Sequence, residues 1–241
     1  LFKSQINPFF SNFEIFNIFK SNKRILLFLI QEGIIKINKS IANTLSNGWY
    51  KKSKYHFYFY PEIKKFLNIK QLEKMLSKRN DMDNINSNDF EQNRKKGENN
   101  KFICKLIQND EIDDFITYVN KTNFSLSKSI EPSIFETNFV LMDKKMSLID
   151  YASFYGLTQF FRYLYINKAN ISPYTWINVI HSRNPEMIHL LEEYQIRPID
   201  RSFSKCLNES IKCHHNEIAV YIQNNLIEIP ENRSVSVKYY N

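Results

Sequence analysis

"YGLTQFFRYLYI", residues 155–166, and "SRNPEMIHLLEE", residues 182–193, share few letters, yet their apolar side chains fall at matching places 27 residues apart. With Gly156 as position zero, the apolar set is Ile149 and Ala152 before it, then Phe160, Phe161 and Leu164. A shift of 27 to Arg183 gives Trp176 and Val179, then Met187, Ile188 and Leu191. A further shift of 31 to His214 gives Leu207 and Ser210, then Ile218, Ala219 and Ile222. Moving 45 residues back from Gly156 to Glu111 gives Cys104 and Ile107, then Phe115, Ile116 and Val119. Each unit carries two short apolar stripes at helical spacing, broken near position zero. The pattern predicts a helix, a tight turn and a second helix. Neither helix can bury its stripe alone, so the units must stack.

Composition agrees with helix. The chain has four glycines in 241 residues, and strand bulges, tight turns and phosphate loops lean on glycine. Neither a P-loop nor a dinucleotide-binding fingerprint can be written around Gly33, Gly48, Gly97 and Gly156. No nucleophile elbow or zinc-protease helix occurs. Three scattered cysteines, Cys104, Cys206 and Cys213, do not make a disulfide framework and point to a reducing setting, cytoplasmic or nuclear. The longest apolar run, residues 25–30, is far short of a membrane span. The chain opens at Leu1 rather than Met, as expected of a piece of a longer protein.

Charge divides the chain. The net charge is +8, and residues 1–100 carry 18 Lys/Arg against 9 Asp/Glu. The rest is close to neutral. "RNDMDNINSNDFEQNRKKGENN", residues 79–100, is polar and has little apolar surface to offset its ordering entropy. It is expected to be a mobile linker. Residues 1–78 then form a basic, aromatic helical block, 101–230 the repetitive block, and 231–241 a C-terminal tail.

"SLIDYASFYGLTQFFRYLYINKANIS", residues 147–172, resembles one ankyrin repeat. Ser147 and Leu148 stand where the usual Thr-Pro opening falls. Ile149, Ala152 and Ser153 match the Leu-Ala-Ala helix face, and Gly156 the inter-helix glycine. Leu164 and Tyr165 match the Leu-Leu pair, and Ala169-Asn170-Ile171 the trailing Ala-Asp-Val. Fainter copies lie upstream. In residues 13–35, Phe13 and Phe16 precede Ser21, and Ile25, Leu26 and Leu29 follow it. "YPEIKKFL", residues 60–67, resembles "NPEMIHLL", residues 184–191. "PSIFETN" (132–138) and "YHFYFYPEIKKFL" (55–67) are similar to strings of an ankyrin-containing family expanded in parasitic protists. The resemblance implies an all-α fold, an α-solenoid of ankyrin-like helix pairs in two blocks, and a non-catalytic scaffold for protein–protein interaction. The 27-residue offset leaves no room for a long β-turn finger between those units. The 45-residue offset adds a loop, residues 120–146.

Candidate chemistry is sparse. Cys206 and Cys213, at i and i+7 on one predicted helix, lie about 10 Å apart along its axis, too far to share one zinc. A metal site would need Cys213 or His214 together with His181 or His189 from a neighbouring unit. The favoured reading is packed cysteines and turn histidines, with no metal, cofactor or catalytic residue. Cys104 aligns with core positions. Glu192–Glu193 and Asp113–Asp114 are sequence neighbours and do not face each other on a helix. At the end of each first helix the units present Phe154 and Tyr155, His181 and Ser182, then Lys212 and Cys213. In an ankyrin-like unit these positions tend toward the concave surface. Phe154, Tyr155, His181, Ser182 and Lys212 are therefore the expected contacts of an unknown protein partner for a monomeric chain. The alternative is an anion or nucleic-acid site in "WYKKSKYHFYFYPEIKK", residues 49–65. There Lys51, Lys52 and Lys54 would meet phosphates and tyrosine rings would stack on bases. The competing reading packs those rings between helices.

Overall fold

The computed structural model describes residues 9–47, 50, 54–76, 88–198 and 201–227. Among them the fold is all-α, and the one β pairing is an isolated bridge between Ile130 and Met146. The chain divides into two compact units, Leu1–Lys101 with Glu131–Lys145, and Phe102–Ile130 with Met146–Asn241.

In the first unit, α1 (Asn12–Phe19), α2 (Lys23–Gln31) and α3 (Lys39–Ser46) are followed by two single turns, α4 (Tyr55–Tyr58) and α5 (Tyr60–Ile63). A 3-10 turn, Lys64–Phe66, leads to α6 (Ile69–Leu76) and α7 (Asn88–Lys96). Short polar residues start the helices. Ser11 and Glu14 form a reciprocal capping box on α1, and the side chains of Asn22 and Asn38 accept from the third residues of α2 and α3. The core is aromatic, with Phe16, Tyr55, Tyr58, Phe59, Phe90 and Phe135 all buried. Of the apolar set expected in residues 13–35, Phe16, Leu26 and Leu29 are buried, whereas Phe13 and Ile25 are exposed.

Helix α7 departs from the expectation of a linker over 79–100. Within that stretch Phe90, Arg94 and Asn99 are buried in the first unit. Arg94 is only 1% exposed, and its guanidinium reaches Glu62 at 2.7 Å and Glu91 at 2.9 Å, with the rings of Tyr58 and Phe90 alongside. A composition rule that counts apolar surface misses a helix anchored by a neutralised, ring-sandwiched arginine. Residues 79–87 and the 231–241 tail lie outside the described residues.

The 120–146 loop is also more than an insertion, because residues 131–145 belong to the first unit. The segment is held largely through its backbone. Lys23 Nζ donates to the carbonyls of Ile134 (3.3 Å) and Glu136 (3.0 Å), Lys54 Nζ to Pro132 (3.1 Å), and Asn99 to Glu131 (3.1 Å). Thr137 donates twice to the carbonyl of Gly97, which ends α7 at φ +71.

The second unit contains α8 (Phe102–Gln108), α9 (Ile112–Thr122), α10 (Leu148–Phe154), α11 (Thr158–Ile166), α12 (Thr175–Ser182), α13 (Pro185–Glu193), α14 (Ser204–Lys212) and α15 (Asn216–Asn225). Consecutive helices pack as pairs, α8 with α9 through α14 with α15. The first helices of the pairs also pack on one another in chain order: α8 on α10, α10 on α12, α12 on α14. Between the helices of each pair one residue turns left-handed: Asp110, Gly156, Arg183 and His214. Three of these are the position-zero residues. In the first pair the turn falls one residue earlier than the apolar pattern places it, at Asp110 rather than Glu111. The turns are closed by backbone bonds such as Leu157 N–H to Ala152 C=O (3.1 Å) and His215 N–H to Ser210 C=O (2.8 Å). The second helices of the first three pairs end the same way, at Asn123, Lys168 and Gln195.

Gly156 is tied to the next pair. Asn184 donates to its carbonyl at 2.8 Å. A Cβ at position 156 would lie 3.1 Å from Asn184 Cβ and 3.2 Å from Ser182 Cβ. Two further polar links bridge helices of successive pairs. Thr175 Oγ1 donates to buried Asp150 at 2.5 Å, and Gln108 donates to the Tyr151 hydroxyl at 2.7 Å. Trp176, fully buried, donates from its indole to the carbonyl of Ile196 at 2.7 Å.

Candidate functional site

The ends of α10, α12 and α14 bring the sequence-predicted row together. Phe154 is half-buried, its ring 5.4 Å from Tyr155 and 5.7 Å from the His181 imidazole. Tyr155 is half-buried against Tyr151 at 5.1 Å. Burial, with Tyr155 beside it, pushes the Tyr151 phenol far above its ordinary value. His181 Nδ1 lies 3.6 Å from Cys213 Sγ. The row Phe154, His181, Cys213 is thus contiguous across three pairs. Ser182 is drawn into the turn instead: its hydroxyl donates to the carbonyl of Val179 at 2.6 Å and accepts from Asn184 N–H at 3.2 Å.

The residue that sequence reasoning missed is Glu209. It sits one helical turn before Cys213 on α14, and its Oε1 is 3.1 Å from His181 Nε2. Its other oxygen is 3.4 Å from Lys212 Nζ, and Lys212 is otherwise exposed. His181 foremost holds the Glu209 carboxyl below its ordinary value. The i, i+4 spacing of Glu209 and Cys213 was the available signal. Cys213 stands at the C-terminus of α14, the negative end of the helix dipole, and burial first of all pushes its thiol up. A protonated thiol there is a poor nucleophile.

The remaining sulfur and imidazole groups are scattered. Cys104 and Cys206 are fully buried. His215 Nδ1 is 2.9 Å from the carbonyl of Ile180, so that nitrogen carries the proton and donates. Desolvation foremost lowers the pKa of His215, against the raising effect of its bond to Ile180. His214 takes the left-handed turn position and is exposed. An open pocket of about 460 Å³ lies over these turns, lined by Arg183, Ile188, His189, His214, His215 and Tyr221 among others. Glu192 accepts from the Tyr221 hydroxyl at 2.8 Å, Glu193 pairs with Arg162, and Asp113 and Asp114 are exposed.

In the basic aromatic stretch, Lys51 and Lys52 lie outside the described residues. Lys54 is half-buried and spends its ammonium on the carbonyl of Pro132. The rings of Tyr55 and Tyr58 are completely buried, and Tyr50 and Tyr60 are half-buried. Burial raises both buried phenols, Tyr58 to about 12. The rings of Tyr55 and Tyr58 belong to the core of the first unit and offer no face to a base.

Comparison with family models, curated proteins and solved structures returns no match for this chain. The reading of its function therefore rests on its own residues.

Proposed function

We propose that this chain is a non-catalytic protein-binding scaffold, an α-solenoid of ankyrin-like helix pairs. Its first-helix ends receive a protein partner. The observation that carries the reading is the contiguous row from Phe154 through His181 to Cys213, one position per stacked pair. Stacked units of this kind offer a partner a continuous strip of first-helix side chains. Phe154 and Tyr155 supply the aromatic anchor, and His181 and Lys212 supply polar specificity. The raised thiol of Cys213 favours binding over nucleophilic catalysis at that residue. The chain acts as a monomer in the cytosol or nucleus, and no helix among the described residues is long and apolar enough to cross a membrane.

The test is capture from the native cell by the full chain and by the Phe154→Ser/Tyr155→Ser variant, with captured proteins identified by mass. A protein retained by the wild type and lost from a variant with unchanged circular dichroism supports the reading. Identical capture by both refutes it.

The charge excess of residues 1–100 favours a second reading, an anion or nucleic-acid site around Lys51, Lys52 and Lys54. Salt separates the two. Affinity for nucleic acid falls steeply with ionic strength, whereas an aromatic groove responds little. Buried Tyr55 and Tyr58, and Lys54 bonded to backbone, weigh against this second reading.

A further inference from the structure

The turns of the α12–α13 and α14–α15 pairs enclose a space that the aromatic row does not use. We propose that this pocket binds an organic anion, a carboxylate or phosphate carried on a flat apolar body.

The shape suits such a ligand. The pocket measures about 460 Å³, within the roughly 300–1,000 Å³ of sites that hold small molecules. Ile188 and Ile218, both buried, and Tyr221 give it an apolar side. That side is held in place. The Tyr221 hydroxyl donates to Glu192 at 2.8 Å, and the His189 ring stands nearly perpendicular to the Tyr221 ring at 5.5 Å. His189 Nδ1 lies 3.3 Å from the same Glu192 oxygen. The Glu192 carboxylate is thus engaged by the wall.

The charges point to an anion. Arg183, His189, His214 and His215 line the pocket, against one lining carboxylate, the exposed Glu217. Arg183 and His214 are exposed, and among the described residues their side chains have no hydrogen-bond or ion-pair partner. Both sit at left-handed turn positions, φ +57 and +56, which the preceding pair fills with Gly156. The fold holds two strained residues whose side chains it does not bury, and both open on one space. Desolvation foremost lowers the pKa of His215, and Arg183, His181 and His214 push it the same way, so positive charge converges here. An anion relieves that repulsion, and a guanidinium can hold a carboxylate or phosphate through two parallel bonds. The start of α15, whose N-cap His215 makes no side-chain capping bond, adds the positive end of a helix dipole.

The experiment titrates the full chain with phenyl phosphate, benzyl alcohol and inorganic phosphate, followed by proton–carbon NMR of the histidine rings. Phenyl phosphate is expected to bind at least about tenfold tighter than either of the others, the worth of a hydrogen bond between charged groups. It is expected to move the resonances of His189, His214 and His215 but not of His56, which lies in the first unit. Arg183→Gly removes the guanidinium and gives the turn the residue that suits its φ, so the fold is kept. Its affinity is expected to fall at least about tenfold, with the melting midpoint unchanged or raised. A phosphotyrosine peptide that outbinds phenyl phosphate puts the anion on a protein partner, and equal affinity puts it on a free small molecule; either supports the site. Benzyl alcohol or inorganic phosphate binding as tightly as phenyl phosphate overturns the proposal, leaving a purely apolar cleft or a bare surface charge. Still histidine resonances at millimolar phenyl phosphate overturn it too, as does undiminished affinity in a folded Arg183→Gly. Phe154 and Tyr155 take no part in this pocket, so such failures leave the scaffold reading untouched.

Discussion

Lys23 is a fully buried lysine whose ammonium bonds two carbonyls of residues 131–145 and lies 5.2 and 5.4 Å from the rings of Tyr55 and Tyr58. Desolvation, opposed mainly by Glu136 and Asp143, pulls its pKa down to about 7 from 10.5. Burial pushes Glu136 the other way, up to about 7 from 4.5. The unfolded chain keeps the Lys23 proton to higher pH than the folded one, so the first unit gains stability as pH rises from 7 towards 10. The folded Glu136 keeps its proton longer than the unfolded one, so stability falls from pH 4.5 to 7. A minimum near neutral pH is expected in urea midpoints. Lys23→Met should remove the rise above pH 7, and a rise that persists in the variant places its source elsewhere. At Gly156 the backbone has φ +73 and a Cβ would crowd Asn184 and Ser182. Gly156→Val is expected to destabilise by on the order of 1–3 kcal/mol, read by thermal or urea melting. Gly156 was legible in the sequence as the break between two stripes. Lys23 was not, because its partners are backbone atoms more than a hundred positions away.

At the scale of the helix, the low glycine content has a structural consequence. Among the described residues, six left-handed positions that follow helices of the second unit carry side chains other than glycine: Asp110, Asn123, Lys168, Arg183, Gln195 and His214, with Arg201 and Phe203 left-handed ahead of α14. Lys, Arg and Gln pay steric strain there that glycine avoids. Lys168→Gly and Gln195→Gly, both exposed, should therefore each raise stability by about 0.5–1 kcal/mol. An unchanged or lowered melting temperature in both would mean that the strain is relieved locally. The helix pairs were readable because apolar spacing survives even where the turn residue changes from Gly156 to Arg183 to His214. Helix α7 was not readable, since its anchor is Arg94 between two glutamates and two rings rather than an apolar stripe. Glu209 was overlooked because nothing in the sequence says that α12 lays His181 across α14.

For the whole molecule, the step in charge near residue 100 falls close to where the chain passes from one compact unit to the other, at Lys101 and Phe102. The return of Glu131–Lys145 to the first unit has no local signature, because the segment is held by side chains distant in sequence. The closeness of Phe154, His181 and Cys213 was legible in the matching apolar spacing, which sets the first-helix ends side by side. The chemistry of that row was legible only in part, since Ser182 is absorbed by the turn and Glu209 enters from outside the pattern. Binding through that row is the central claim. The measurement that bears on it most directly is titration of a protein captured by the full chain against wild type and Phe154→Ser/Tyr155→Ser, alongside circular dichroism and melting of both. The expected result is affinity lowered at least about tenfold, the loss of one aromatic anchor being worth about 2 kcal/mol, with helicity and midpoint unchanged. A double variant that stays folded and binds as tightly as the wild type would contradict the claim.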